Sequence, residues 1–271
     1  MTDAGILLVD TITRLPANAA GKIHVASSHG GVYAGSLALR GRCKGAIFND
    51  AGFGKDGAGA GSLAAFEALG VPCAVVAHTS CRIGEAADMW ARGRVSAANG
   101  PARRAGVRVG QGCAEAARAM ADAECPVYEP PPLPAEARSV LRALGWVRAI
   151  VLVDSAALVQ PEDAGAIVVT ASHGALIGGD PRKALQVDGF AGVYNDAGGG
   201  ADGCGTSRLP ALEARGIAAL TVAAASARIG DARSTYEDGI VSAVNARAKA
   251  LGADVGAPLQ PLLERWAKGA S

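Results

Sequence analysis

Three short motifs occur twice along the chain, and each carries side chains able to move protons or hold an anion. Ser28-His29-Gly30-Gly31 returns as Ser172-His173-Gly174-Ala175. Asn49-Asp50-Ala51-Gly52 returns as Asn195-Asp196-Ala197-Gly198, and Ser80-Cys81-Arg82-Ile83-Gly84-Glu85 as Ser226-Ala227-Arg228-Ile229-Gly230-Asp231. The first motif recurs 144 residues on, from position 29 to 173; the others recur 146 on, from 50 to 196 and from 80 to 226. A histidine on a glycine turn titrates near neutrality and serves as general acid or base. An aspartate on a neighbouring loop can orient that imidazole or act as a base itself. Clustered glycines expose N–H groups that can hold a carboxylate or an oxyanion.

The catalytic candidates are therefore His29, Asp50, Ser80 and Cys81 in the first copy and His173 and Asp196 in the second. Cys81 near His29 or His78 would be a thiolate nucleophile; its plainer use is to replace alanine in a packed loop. Arg82 and Arg228 suit bidentate capture of a substrate carboxylate, or a structural bridge to Asp50 and Asp196. Further contacts to substrate are expected from Ser28, Gly30, Gly31, Asn49 and Gly52, and from Lys55, Asp56 and His78. In the second copy they are expected from Ser172, Asn195, Asp202 and Ser226. The aspartates also suit turn capping, and the serines suit helix N-caps. Glu85 and Asp231 stand where an acid favours a helix dipole, and Asn99 and Asn245 read as packing or helix-end hydrogen bonds. Lys55, His78 and Cys81 face Ala201, Ala224 and Ala227 in the second copy, so the first copy holds the extra reactive groups.

The glycine loops carry neither a P-loop nor a clean dinucleotide fingerprint, and no histidine spacing points to a metal. No cofactor is expected.

The elements that must position these residues read as alternating strands and helices. Apolar runs at 6–9, 23–26, 46–48 and 74–77 recur at 150–153, 167–170, 192–194 and 218–222. Strands so uniformly apolar are covered on both faces. Helical patterns fall at 61–69, 85–99, 114–123, 135–144, 207–214, 231–251 and 258–268, with Trp266 docking on a lobe. The fold class is therefore α/β: a tandem duplication giving two pseudo-twofold-related lobes, each a mostly parallel sheet flanked by helices. The lobes are placed at 1–125 and 150–271, joined by a proline-rich linker and helix at 126–149. Each shared motif follows a strand, so parallel strands would bring all of them to one sheet edge, where α/β proteins bind ligands.

Composition narrows the partners. Of 271 residues, 50% are hydrophobic, 4% aromatic and 19% charged, with a formal net charge of +1. Such a chain offers neither a field for nucleic acid nor the aromatic surface for base stacking. No basic leader opens it and no apolar run spans a bilayer, which reads as cytoplasmic. The six cysteines form no Cys-x-x-Cys pair, so they read as small buried hydrophobes. The expected partner is an anionic small molecule. Helices rich in small residues leave room for a homodimer.

A strand ending in Ser-His-Gly, followed by one ending in Asp-Ala-Gly, resembles the His and Cys strand ends of caspase-like hydrolases. The likeness covers a few residues per copy, and Gly52 and Gly198 stand where that family has its cysteine. It reads as convergence of strand-end chemistry. The leading expectation is hydrolysis of an amide, lactam or ester in a small carboxylate-bearing substrate, with His29 as base, Asp50 orienting it and Arg82 holding the carboxylate. The alternatives are an isomerase or racemase using His29 and His173 as acid and base, and a non-catalytic protein that binds a small anion.

Overall fold

The computed structural model describes residues 5–124 and 127–269. The N-terminal tetrapeptide, Cys125 and Pro126 lie outside the described residues, so the readings of the chain start, of Cys125 as a buried hydrophobe and of the first linker residues are not addressed by it. Contacts divide the chain into two units. One holds residues 1–53, 57–134 and 200–202; the other holds 54–56, 135–199 and 203–271.

The first unit is built on a five-stranded sheet ordered β1-β2-β3-β4-β5: Ile6–Val9, Ile23–His29, Gly45–Asn49, Cys73–Val76 and Val95–Ala98. β1 to β4 pair in parallel, and β5 runs antiparallel to β4. Alternation of side chains along each strand sends Val25, Ile47 and Ala74 to one face and Ala26, Phe48 and Val75 to the other. The first face packs against α3 (Ala86–Arg92) and α5 (Cys113–Asp122) through Met89, Ala116 and Met120. The second packs against α1 (Val32–Arg40) and α2 (Ser62–Ala68) through Ala34, Leu39 and Phe66. A short α4 (Gly100–Arg104) is N-capped by Asn99, whose side chain accepts from Ala102 N–H and also ties down the start of β4 at Cys73.

The second unit has a six-stranded sheet. β6 (Arg138–Leu141) pairs antiparallel with β7 (Ile150–Val153). β8 (Ile167–His173), β9 (Ala191–Asn195) and β10 (Ala218–Val222) follow in parallel, and β11 (Val241–Val244) closes the order antiparallel. Its helices are α6 (Arg208–Glu213), α7 (Ala232–Asp238), α8 (Ala246–Ala250) and α9 (Leu259–Ala267). Trp266 of α9 is buried against Phe190 and donates from Nε1 to the Leu251 carbonyl. Asn245 caps α8 as Asn99 caps α4.

Both sheets thus place helices on each face, and most of their strands are parallel. Within each, the parallel strands lie in chain order, so neither sheet has the reversal that opens a ligand crevice in doubly wound folds.

Three sequence expectations change. The helix read over 85–99 stops at Arg92, because Gly93 takes an extended ψ of 135°, where a side chain would meet the Met89 carbonyl, and Val95–Ala98 then enters the sheet. The helix read over 231–251 breaks likewise at Gly239, with ψ 132°, giving α7, β11 and α8. Residues 135–144 hold strand β6 where a helix was read: β7 offers an edge, and Arg138, Ser139 and Val140 pair along it. Helix α1 was not read from the sequence. Among the described residues no helix is long and apolar enough to cross a membrane.

Candidate functional site

The carboxyl ends of β2, β3 and β4 bring His29, Asp50 and His78 to one edge of the first sheet. His29 is the last residue of β2 and lies beside Asn49 of β3, after a register shift that follows Val25. Asp50 follows β3 directly, and its backbone N–H donates to the Val76 carbonyl at the end of β4. His78 stands two residues beyond β4.

Asp50 is the best-held side chain of the site. Its Oδ1 accepts from the backbone N–H groups of Gly52 and His78, each at 2.9 Å, and from His78 Nδ1 at 2.8 Å. Its Oδ2 accepts from Ser96 Oγ of β5 at 2.8 Å. Burial pushes the Asp50 carboxyl upward, but the hydrogen bonds from the His78 ring, Gly52, Ser96 and the His78 amide outweigh it and hold the pKa below the usual value. The Asp50 side chain is 2% exposed and that of His78 is 24% exposed, so the carboxylate is buried behind an imidazole that reaches the surface. An ionised carboxylate has only lone pairs to offer, so Nδ1 carries the proton and the imidazole lone pair lies on Nε2.

His29 has the opposite tautomer. Its Nδ1 accepts the Gly31 N–H at 3.2 Å, which leaves the proton on Nε2. Burial drives its pKa down to about 4, so it is a neutral donor at physiological pH rather than a base. The role expected for Asp50 is corrected with it: the carboxylate orients His78, and no hydrogen bond joins it to His29 among the described residues.

Other expected site residues turn inward. Cys81 is fully buried among Met89, Val95 and Cys113, with Asn49 Nδ2 donating to its sulfur at 3.5 Å, which withdraws it as a nucleophile. Ser80 Oγ donates to the Ala77 carbonyl and accepts the Arg94 N–H; Ser226 does the same with Ala223 and Ile240. Ser28 and Ser172 accept the N–H groups of Ile12 and Ala156. The Gly30 amide is spent on Asn49, the Gly31 amide on His29 and the Gly52 amide on Asp50, so none of these serves an oxyanion. Asn49 and Asn195 hold the turns after their strands by accepting from Ala51 and Ala197.

The glycine loop itself is a run of left-handed backbone. Ala51, Gly52, Phe53 and Gly54 have φ of 47°, 76°, 57° and 67°, and Asp56 has 56°. The second loop repeats this at Ala197, Gly198, Gly199, Gly200 and Asp202. Such angles cost a non-glycine residue about 1–2 kcal/mol each. Gly59 makes the loop possible, since a side chain there would run into the Asp50 carbonyl oxygen.

Within the first unit, Asp202 Oδ2 accepts from Arg82 Nε at 3.0 Å and from Arg92 Nη2 at 2.8 Å. Within the second, Asp56 Oδ2 accepts from Arg228 Nη1 at 2.9 Å, and Lys55 Nζ lies 2.9 Å from Asp238. Both arginines therefore hold loop aspartates, and neither reaches Asp50 or Asp196 as a bridge. These pairs are exposed and screened by solvent, so an incoming carboxylate can compete for them.

In the second unit, among the described residues, Asp196 accepts the backbone N–H groups of Gly198 and Ala224 alone, and Ala224 stands where the first unit has His78. Its Ser242 pairs with Thr221 instead. His173 is buried at the end of β8. Among the described residues no cluster of three or more His, Cys, Asp or Glu is arranged to hold a metal.

Ser96 was not anticipated, and nothing in its sequence surroundings marks it. Arg208 was also missed. Its guanidinium is buried over the Tyr194 ring and donates to the carbonyls of Ala175, Lys183 and Ala184. It stands 146 residues after Ser62, a large cation at the spacing where the recurring motifs would match a small hydroxyl, and that contrast was available in the sequence.

The chain matches no family model, no curated protein and no solved structure.

Proposed function

We propose that the protein hydrolyses an amide, lactam or ester bond in a small, anionic substrate at the carboxyl edge of its first sheet. The observation that carries this reading is the buried Asp50 carboxylate hydrogen-bonded to Nδ1 of the partly exposed His78. In this reading His78 takes a proton from water through Nε2 as the water oxygen bonds to the carbonyl carbon, Asp50 stabilises the imidazolium that forms, and His78 returns the proton to the leaving nitrogen or oxygen as its bond to that carbon breaks. His29 donates its Nε2–H to the carbonyl oxygen as it gains charge. His29 ends β2 and His78 follows β4, the two strands on either side of β3, so both stand at the same strand-end edge. Water is the nucleophile, because Cys81 is buried and Ser80 is engaged on both sides.

We read the two sheets as a tandem duplication, on the strength of the recurring motifs and of the matching register shift that ends with His29 opposite Asn49 and His173 opposite Asn195. The second unit has Ala224 where the first has His78, and burial keeps His29 neutral, which favours hydrolysis in the first unit over an isomerase using His29 and His173 as acid and base.

The test is turnover of a panel of small carboxylate-bearing amides, lactams and esters. His78→Ala and Asp50→Asn should each lower kcat by about 10²–10⁴-fold with the fold retained by circular dichroism. Binding of such compounds without turnover, or turnover indifferent to His78, would favour the anion-binding alternative.

A further inference from the structure

The same strand edge is covered in one sheet and bare in the other. In the second sheet β6 lies along the outer edge of β7, and Ile150 to Val153 are all buried. In the first sheet nothing described pairs with the outer edge of β1, and Leu7, Leu8 and Val9 are left partly exposed. The residue after each strand shows what is missing. Asp154 Oδ1 accepts the Ala232 N–H, its Oδ2 accepts the Ala137 N–H at the start of the covering strand, and its own N–H donates to the Ala137 carbonyl. Asp10 Oδ1 likewise accepts the Ala86 N–H, but its Oδ2 and its backbone N–H have no partner among the described residues. An acceptor and a donor therefore stand ready for a strand that none of the described residues supplies.

We propose that β1 of a second copy fills this place, making a twofold dimer with one continuous sheet. The Gly5 carbonyl accepts from Ile23 of β2, so by alternation the N–H and C=O groups of Ile6, Leu8 and Asp10 face outward. An antiparallel pairing centred on Leu8 sets Leu8 opposite its symmetry mate and Ile6 opposite the partner's Asp10. Asp10 then takes the partner's Ile6 N–H on Oδ2 and gives its own N–H to the Ile6 carbonyl, the arrangement Asp154 makes with Ala137. One strand satisfies both sides at once, as an isologous contact requires.

The experiment is sedimentation velocity on the full-length chain over about 1 μM to 0.1 mM, alongside two variants. Leu8→Pro removes an outward N–H without touching the bonds to β2. Asp10→Asn keeps the acceptor for Ala86 and turns the other into a donor facing a donor. The expected result is a wild-type dimer, with Kd raised at least about tenfold in each variant. If Leu8→Pro does not fold, Asp10→Asn decides. A wild-type monomer throughout, or a dimer that a folded variant leaves unchanged, would overturn the proposal.

Discussion

Oδ1 of Asp50 lies 2.8 Å from Nδ1 of His78, and the second carboxylate oxygen lies 2.8 Å from Ser96 Oγ. One buried aspartate so joins the ends of three neighbouring strands. The contact sets the tautomer of the imidazole, and the tautomer sets which nitrogen can take a proton.

Replacing Asp50 by Ala should cost more than the same change at Asp196. Asp50→Ala strands the backbone N–H groups of Gly52 and His78 and the His78 Nδ1–H, and leaves Ser96 Oγ with its longer bond to the Val75 carbonyl. Asp196→Ala strands only two backbone donors. With each stranded group costing about 1–3 kcal/mol, urea denaturation should show the larger loss for Asp50 by at least about 1 kcal/mol. Equal losses would mean that the side-chain partners add nothing.

Stability should fall as pH drops from about 6.5 towards 4. The folded-state pKa of His29 is lowered to about 4, so in that window the unfolded chain binds the proton that the folded chain refuses. His24, also lowered by burial, acts in the same direction. Each contributes at most about 1.4 kcal/mol per pH unit. His29→Asn should flatten this decline, as measured by unfolding at several pH values; an unchanged slope would contradict the burial of a neutral His29.

Phe53 sits at φ 57° and is partly exposed, so its backbone, not its ring, dominates its cost. Phe53→Gly should be more stable than Phe53→Ala by about 1 kcal/mol in thermal melts. The reverse order would show that the loop is not left-handed there.

Among the described residues Arg208 has no carboxylate partner; carbonyl oxygens and the Tyr194 ring hold it. Arg208→Ala leaves those carbonyls buried and short of a donor, and should cost about 1–3 kcal/mol for each one stranded. Arg208→Lys should recover little, since an ammonium cannot reproduce the planar fork. Full rescue by lysine would make charge alone sufficient.

The strand runs and the motif positions were legible because a short, uniformly apolar segment that ends in a polar pair has the pattern of a strand buried on both faces and open at its carboxyl end. The helices over 85–99 and 231–251 were overread because alanine-rich amphipathic stretches continue past Gly93 and Gly239, where the chain has to leave the helix. Which histidine meets Asp50 was not legible. His29, His78 and Ser96 are 21, 28 and 46 residues from it in sequence, and only strand order and side-chain direction choose among them. The burial of Cys81 was hinted at by Ala227, the apolar residue at the matching place of the recurring motif.

The most direct measurement is the ¹⁵N NMR spectrum of the His78 ring at pH ~8, where an unperturbed imidazole is neutral, in the wild type and in Asp50→Asn. A proton on Nδ1 in the wild type, lost or redistributed in the variant, is the expected result and leaves Nε2 as the base. A proton on Nε2, or a spectrum indifferent to Asp50, would remove His78 from the role proposed for it.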